Sequence, residues 1–212
     1  MKKGCSLYYR CLRKCRNLGD NLTNREDKWH QELNCTLSAQ IWNNIYTQCA
    51  SLKYDNKLKW LQFQINRNSL YTNYRVNKFM PNVSPFCAFC TGNVPPFNLE
   101  LISHLFFSCK IVQKFWEEIR FWLLSLQPPV ELSIVRNKII FGDLLSPMSS
   151  VQNHTILSAK FFIWKSKLQC ANLCFHSFKI FFKGKLLELK GALSYIEKDE
   201  DFKKWQTIFD SL

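Results

Sequence analysis

Residues 86–109 read FCAFCTGNVPPFNLELISHLFFSC and place Cys87, Cys90, His104 and Cys109 in one short span. The spacing is C-x2-C-x13-H-x4-C. A CxxC turn sets two thiolates on one edge of a tetrahedron, and the excursion that follows returns an imidazole and a third thiolate to the opposite edge. Three soft thiolates with one imidazole suit zinc, which needs no redox partner. With all four places filled by protein, the expected centre is closed and structural, with no position open to a substrate. Pro85, Pro95 and Pro96 stiffen the excursion. His104 and Cys109 lie five residues apart, about 140° around an ideal α-helix, so the first helical turn must loosen for both to face one ion.

Outward from this span, apolar spacing speaks for helix. Leu105, Cys109, Val112, Trp116, Ile119 and Leu123 alternate steps of four and three, with Ser103 as the expected N-cap. Upstream, Leu37, Ile41 and Ile45 follow Thr36, and Leu58, Leu61 and Ile65 follow Asn56. Residues 125–150 carry QPP, FGD and SPMSS, a passage that breaks the helical pattern. Beyond it, Leu157, Phe161, Trp164 and Leu168 form one stripe, Phe178, Phe182, Leu186, Leu189, Leu193 and Ile196 a second, and Phe202, Trp205, Phe209 and Leu212 a third. No alternating strand pattern competes. The expectation is a mainly α protein, a helical domain organised around a small CCHC zinc knuckle and followed by a second helical segment. Its divisions are a basic tail (1–27), a helical basic and aromatic segment (28–80), the knuckle with its helix (81–124), a connector (125–150) and a basic helical segment (151–212).

Hydrophobic residues make up 47% of the 212, which excludes a mostly disordered chain. The formal net charge is +13 and the sequence pI about 9.3, a balance that favours polyanionic partners. No stretch approaches the roughly 18 consecutive apolar residues of a spanning helix, so no membrane partner is expected. The start, MKKGCSLYYRCLRKCR, has no apolar core of signal-peptide length, and an intracellular chain, nuclear or cytoplasmic, follows as the expectation. In that setting the ten cysteines read as thiols and metal ligands. Cys170 and Cys174, with His176 nearby, read as small buried thiols.

Cations interleave with rings over residues 53–79, where Lys53, Lys57, Lys59, Arg67, Arg75 and Lys78 alternate with Trp60 and Tyr74. Cations neutralise phosphates and rings stack bases, a pairing used for single strands. Residues 151–192 add seven lysines against Glu188 alone, of which Lys160, Lys165 and Lys167 join the candidate contacts.

SPFCAFC and the later LELISHLFFSCKIVQKFW resemble the zinc-binding region at the carboxyl end of reverse transcriptases from LINE-type non-LTR retrotransposons. In that family a CxxC precedes a Glu four residues before the His, then HLF, the last Cys and an aromatic pair. Glu100, His104, Leu105, Phe106, Cys109, Phe115 and Trp116 occupy those places here. The flanks KWHQELNCTLSAQIWNNIY, LKWLQFQINRNSLYTNYRVNKF, FGD and ILSAKFFIWKSK are similar too, so the likeness runs from about Lys28 onward. The resemblance implies zinc, RNA or single-stranded DNA as partner, further retrotransposon proteins as possible partners, and a supporting place in reverse transcription. The polymerase hallmark, two adjacent aspartates that hold Mg2+, is missing, because the sequence contains no Asp-Asp pair. An accessory, non-enzymatic region is therefore expected, with a helical protein-interaction adaptor or a relic reading frame of a truncated element as the alternatives.

Overall fold

A computed structural model of the chain describes residues 25–51, 55–90, 98–127, 129–146, 150–193, 208 and 210. It is mainly α. Helix α1 spans Arg25–Leu33, α2 Ala39–Ser51, α3 Asn56–Asn66 and α4 Asn73–Asn77. A single π turn, His104–Ser108, leads into α5, Lys110–Leu124; then follow α6, Arg136–Phe141, α7, Val151–Leu168, and α8, Phe175–Leu193. Among the described residues the only β-pairing is an isolated antiparallel bridge between Phe86 and Leu99.

One buried cluster runs from Trp29 to Ile208 and takes in residues of every segment distinguished in the sequence from residue 28 onward. Its clearest contributor is α5, which buries Val112, Phe115, Trp116, Ile119 and Leu123. Each such side chain is worth roughly 1.5–3 kcal/mol relative to exposure, enough to order a helix with no side-chain N-cap. Ser103 does not cap it. That residue is itself helical, because the π turn sits between it and α5, and Cys109 takes the cap position with extended backbone. At α3 the cap is Asp55, whose Oδ1 accepts from the Lys57 and Leu58 amides at 2.8 and 3.0 Å. The Asp55 Oδ2 pairs with Lys185 at 2.8 Å, so the start of α3 is tied to α8.

The helix α7 packs against α3, α8 and the π turn. Thirteen of its eighteen residues are buried, so it has no polar face. The expected stripe of Leu157, Phe161, Trp164 and Leu168 is thereby corrected: Leu168 is exposed, while Ile156, Ala159, Phe162 and Ile163 are buried with Leu157. A helix covered on three sides buries residues all round, and a single-stripe reading cannot describe it. Residues 125–150 hold α6 within the expected connector, with Ile139, Ile140 and Phe141 in the core. In α8 the stripe holds at Phe178, Phe182 and Leu186, while the third stripe lies outside the described residues. Cys170 and Cys174 are exposed in the turn between α7 and α8, not buried.

Lys160, on α7, is 1% exposed. Its Nζ donates to Gln62 Oε1 and to the Ile140 carbonyl, the latter at 2.9 Å. Burial pushes its pKa down to about 7 from the usual lysine range. Between that value and its unfolded value near 10.4, the unfolded chain binds a proton that the folded chain does not, so folding stability rises with pH across the window. In urea unfolding from pH 7 to 9, the parent should gain on Lys160→Met by up to about 1.4 kcal/mol per pH unit. Parallel slopes for the two proteins would refute the assignment.

Candidate metal centre and basic surface

Cys87, Cys90, His104 and Cys109 come together, and their four ligand atoms all lie within 4.8 Å of one another. Cys90 Sγ is 3.4 Å from His104 Nε2 and 3.6 Å from Cys109 Sγ, and Cys87 Sγ is 3.9 Å from Cys109 Sγ. Four-coordinate bonds of about 2.3 Å to sulfur and 2.0 Å to nitrogen imply tetrahedral edges of roughly 3.8 Å between sulfurs and 3.5 Å from sulfur to nitrogen. The observed spacings are those edges to within a few tenths of an ångström. The group could therefore hold a metal ion.

Local backbone geometry explains how the donors meet. The Phe86–Leu99 bridge closes the excursion, with the Cys87 amide donating to Asn98 O at 3.0 Å and the Glu100 amide to Pro85 O at 2.9 Å. At the other edge, the Cys109 amide donates to His104 O at 3.0 Å, an i→i+5 bond that makes the π turn. This is the loosening that the spacing demands. Five residues become nearly one turn, so His104 and Cys109 share a face, as π turns often arrange at functional sites. Trp116 Nε1 donates to Phe106 O at 2.8 Å and satisfies a carbonyl of the widened turn.

The donors share protons unequally. The hydrogen bond from Cys87 pulls the Cys109 thiol down to about 4 against the opposing effect of burial, and His104 acts in the same direction. Cys87 is raised by that same bond and by burial, and Cys90 is raised, chiefly by burial. Thiolate is the ligating form, so a cation at this centre would displace the remaining thiol protons.

Behind the thiols lies a carboxylate. Glu100 is fully buried; its Oε1 accepts from the Asn73 amide at 2.7 Å and its Oε2 from the Ala88 amide at 3.0 Å. Ala88 stands between the two cysteines of the CxxC. Lys167 Nζ pairs with Glu100 Oε1 at 3.1 Å and donates to Tyr71 O at 3.2 Å. A second carboxylate, Glu32, accepts from the Ser103 amide at 2.7 Å and from Asn68 Nδ2 at 3.0 Å. In the sequence Glu100 is marked by the family resemblance alone, through its place four residues before His104; Glu32 and the role of Lys167 carry no local signal.

The candidate cations divide into two populations. Lys160 and Lys167 are corrected: both point inward onto protein acceptors and present no ammonium to a phosphate. Lys53 lies outside the described residues. Lys57 and Lys165 are exposed, and Lys59 reaches across to Ala50 O at 2.9 Å. Trp60 is 60% exposed and stacks on Phe63 at 5.6 Å with 19° between planes, and the Arg67 guanidinium sits 4.4 Å over the Phe63 ring. Tyr74, Arg75 and Lys78 belong to α4 and its end, where Lys78 Nζ lies 4.9 Å over the Tyr74 ring. No helix among the described residues is long and apolar enough to cross a membrane. No protein-family model matches the chain, and comparison with curated proteins finds no match.

Replacing Glu100 by Gln removes the charge that Lys167 faces inside the protein. Breaking a buried pair in this way costs about 3–5 kcal/mol. Denaturant unfolding should show that loss for Glu100→Gln and recovery of most of it in the double variant Glu100→Gln/Lys167→Met. Strict additivity of the two changes would mean that the pair does not act as one.

Proposed function

We propose that this chain is a zinc-organised helical module that binds RNA or single-stranded DNA, an accessory region of the LINE reverse-transcriptase type that supports reverse transcription without catalysing it. The observation that carries the reading is the Trp60–Phe63–Arg67 stack. On α3 the buried side is Leu58, Leu61, Gln62, Ile65 and Asn66, which leaves Trp60, Phe63 and Arg67 along the opposite side. An exposed indole backed by a second ring and a guanidinium offers a stacking face together with a phosphate ligand, and every base has a π-face to lay on it. The knuckle itself supports a scaffold role, since residues 86–109 contain no Lys or Arg. Zinc is the ion that three thiolates and one imidazole at these spacings suit best.

The purified chain should carry one zinc, measured by elemental analysis, and Cys90→Ser should lose it and melt lower. Unchanged zinc content in that variant would remove the metal from the reading. With Lys57 and Arg67 each at one phosphate and Lys28, Arg75 and Lys78 together at a third, log affinity for a labelled single strand should fall against log salt with a slope of about −2, at roughly −0.7 per phosphate. Trp60→Ala should weaken binding by about 1–3 kcal/mol and leave that slope unchanged. Affinity indifferent to salt and to Trp60 would put the protein-interaction adaptor in its place.

A further inference from the structure

A groove of about 540 Å³ opens between α1, α4 and the segment leading to the π turn. The size falls within the roughly 300–1,000 Å³ range of small-molecule sites. Its walls carry Lys28, Arg75 and Lys78 together with the rings of Tyr71, Tyr74 and Phe79. None of the three cations has a carboxylate partner among the described residues. The carboxylate in the wall, Glu32, already accepts the Ser103 amide and the Asn68 side chain, so it is engaged by the protein.

The groove differs from the flat stack on α3. Arg75 Nη1 donates to Asn68 O at 2.6 Å, which fixes the guanidinium plane and leaves its other donors to bind an anion. Lys78 lies over Tyr74, so one helix end presents a cation and a ring side by side. Leu70 and Ile102, both buried, close the apolar floor. Fixed cations beside rings over an apolar floor suit a ligand that is anionic at one end and flat and aromatic at the other. A 5′-nucleotide has that form, and phosphate alone would leave the rings unused.

We propose that this groove is a nucleotide subsite, with the phosphate held by Lys28, Arg75 and Lys78 and the base laid against the rings. In its strand-bound form the inference rests on the proposed function: the groove takes one unstacked nucleotide from a strand that runs on to the α3 stack. The probe is uridine 5′-monophosphate, titrated into the full, zinc-loaded chain and followed by amide NMR, with inorganic phosphate and uridine as separate arms. The nucleotide should move the amides of residues 70–79, 101 and 102, and bind more tightly than either arm. The double variant Lys28→Ala/Lys78→Ala changes two exposed side chains and should weaken the nucleotide by about tenfold or more with its amide spectrum otherwise retained. If the groove amides stay still, or the double variant binds as well as the parent, the subsite is overturned. Anisotropy of a labelled ten-nucleotide uridine strand on the same samples separates the two claims. Strand binding without nucleotide shifts overturns the subsite and leaves the function standing. Nucleotide shifts without strand binding support the subsite as a free-nucleotide site and overturn the function. Loss of both overturns both.

Discussion

The candidate metal centre and the helices around it depend on one buried carboxylate. Glu100 holds the backbone of the CxxC turn through Ala88 and the start of α4 through Asn73, while its charge is met by Lys167 from α7. An unpaired ion in such a place would cost several kcal/mol, and an orphaned amide roughly 1–3 kcal/mol more, so the four groups are stable only together. The consequence is directional. The four donor residues would select the ion, but Glu100 sets the turn from which two of them would reach it, the part that outer-shell groups play at metal sites.

Lys167 also explains why a count of charge misplaces the basic surface. Of the seven lysines between 151 and 192, Lys160, Lys167 and Lys185 lie inside, on Gln62 and Ile140 O, on Glu100, and on Asp55 with Glu188. Interior lysines brace helices to one another. Of the cations left for a polyanion, those on α1, α3 and α4 line the groove or lie over the rings of Phe63 and Tyr74. Position, and not number, makes that surface a candidate for nucleic acid.

What the sequence makes legible follows from the range of the interaction. The four donors are local, and tetrahedral chemistry constrains their spacing so tightly that even the loosened turn between His104 and Cys109 can be anticipated from five residues of separation. Amphipathic α3 and α5 are legible for the same reason: one face buried, one face wet. The helix α7 is not, because partners on several sides erase the contrast on which a stripe depends. Glu32 with Ser103 and Glu100 with Lys167 join residues 71 and 67 positions apart, and no periodicity records such a pairing. The exposed thiols Cys170 and Cys174 were hidden in the same way, since the chain turns just where they stand.

The carboxylates further join the metal centre to the groove. Glu100 binds the first amide of α4, whose end carries Arg75 and Lys78, and Glu32 binds both the amide of Ser103, next to the ligand His104, and Asn68, whose carbonyl fixes Arg75. Leu101 and Ile102, between Glu100 and the π turn, form part of the groove wall. Any rearrangement of the turn that carries His104 must therefore move that wall or break those hydrogen bonds. Residues 86–109 carry no Lys or Arg, yet their backbone is tied to the segments that position Arg75 and Lys78, so a metal held by the four donors would act on the proposed groove through the backbone it holds still.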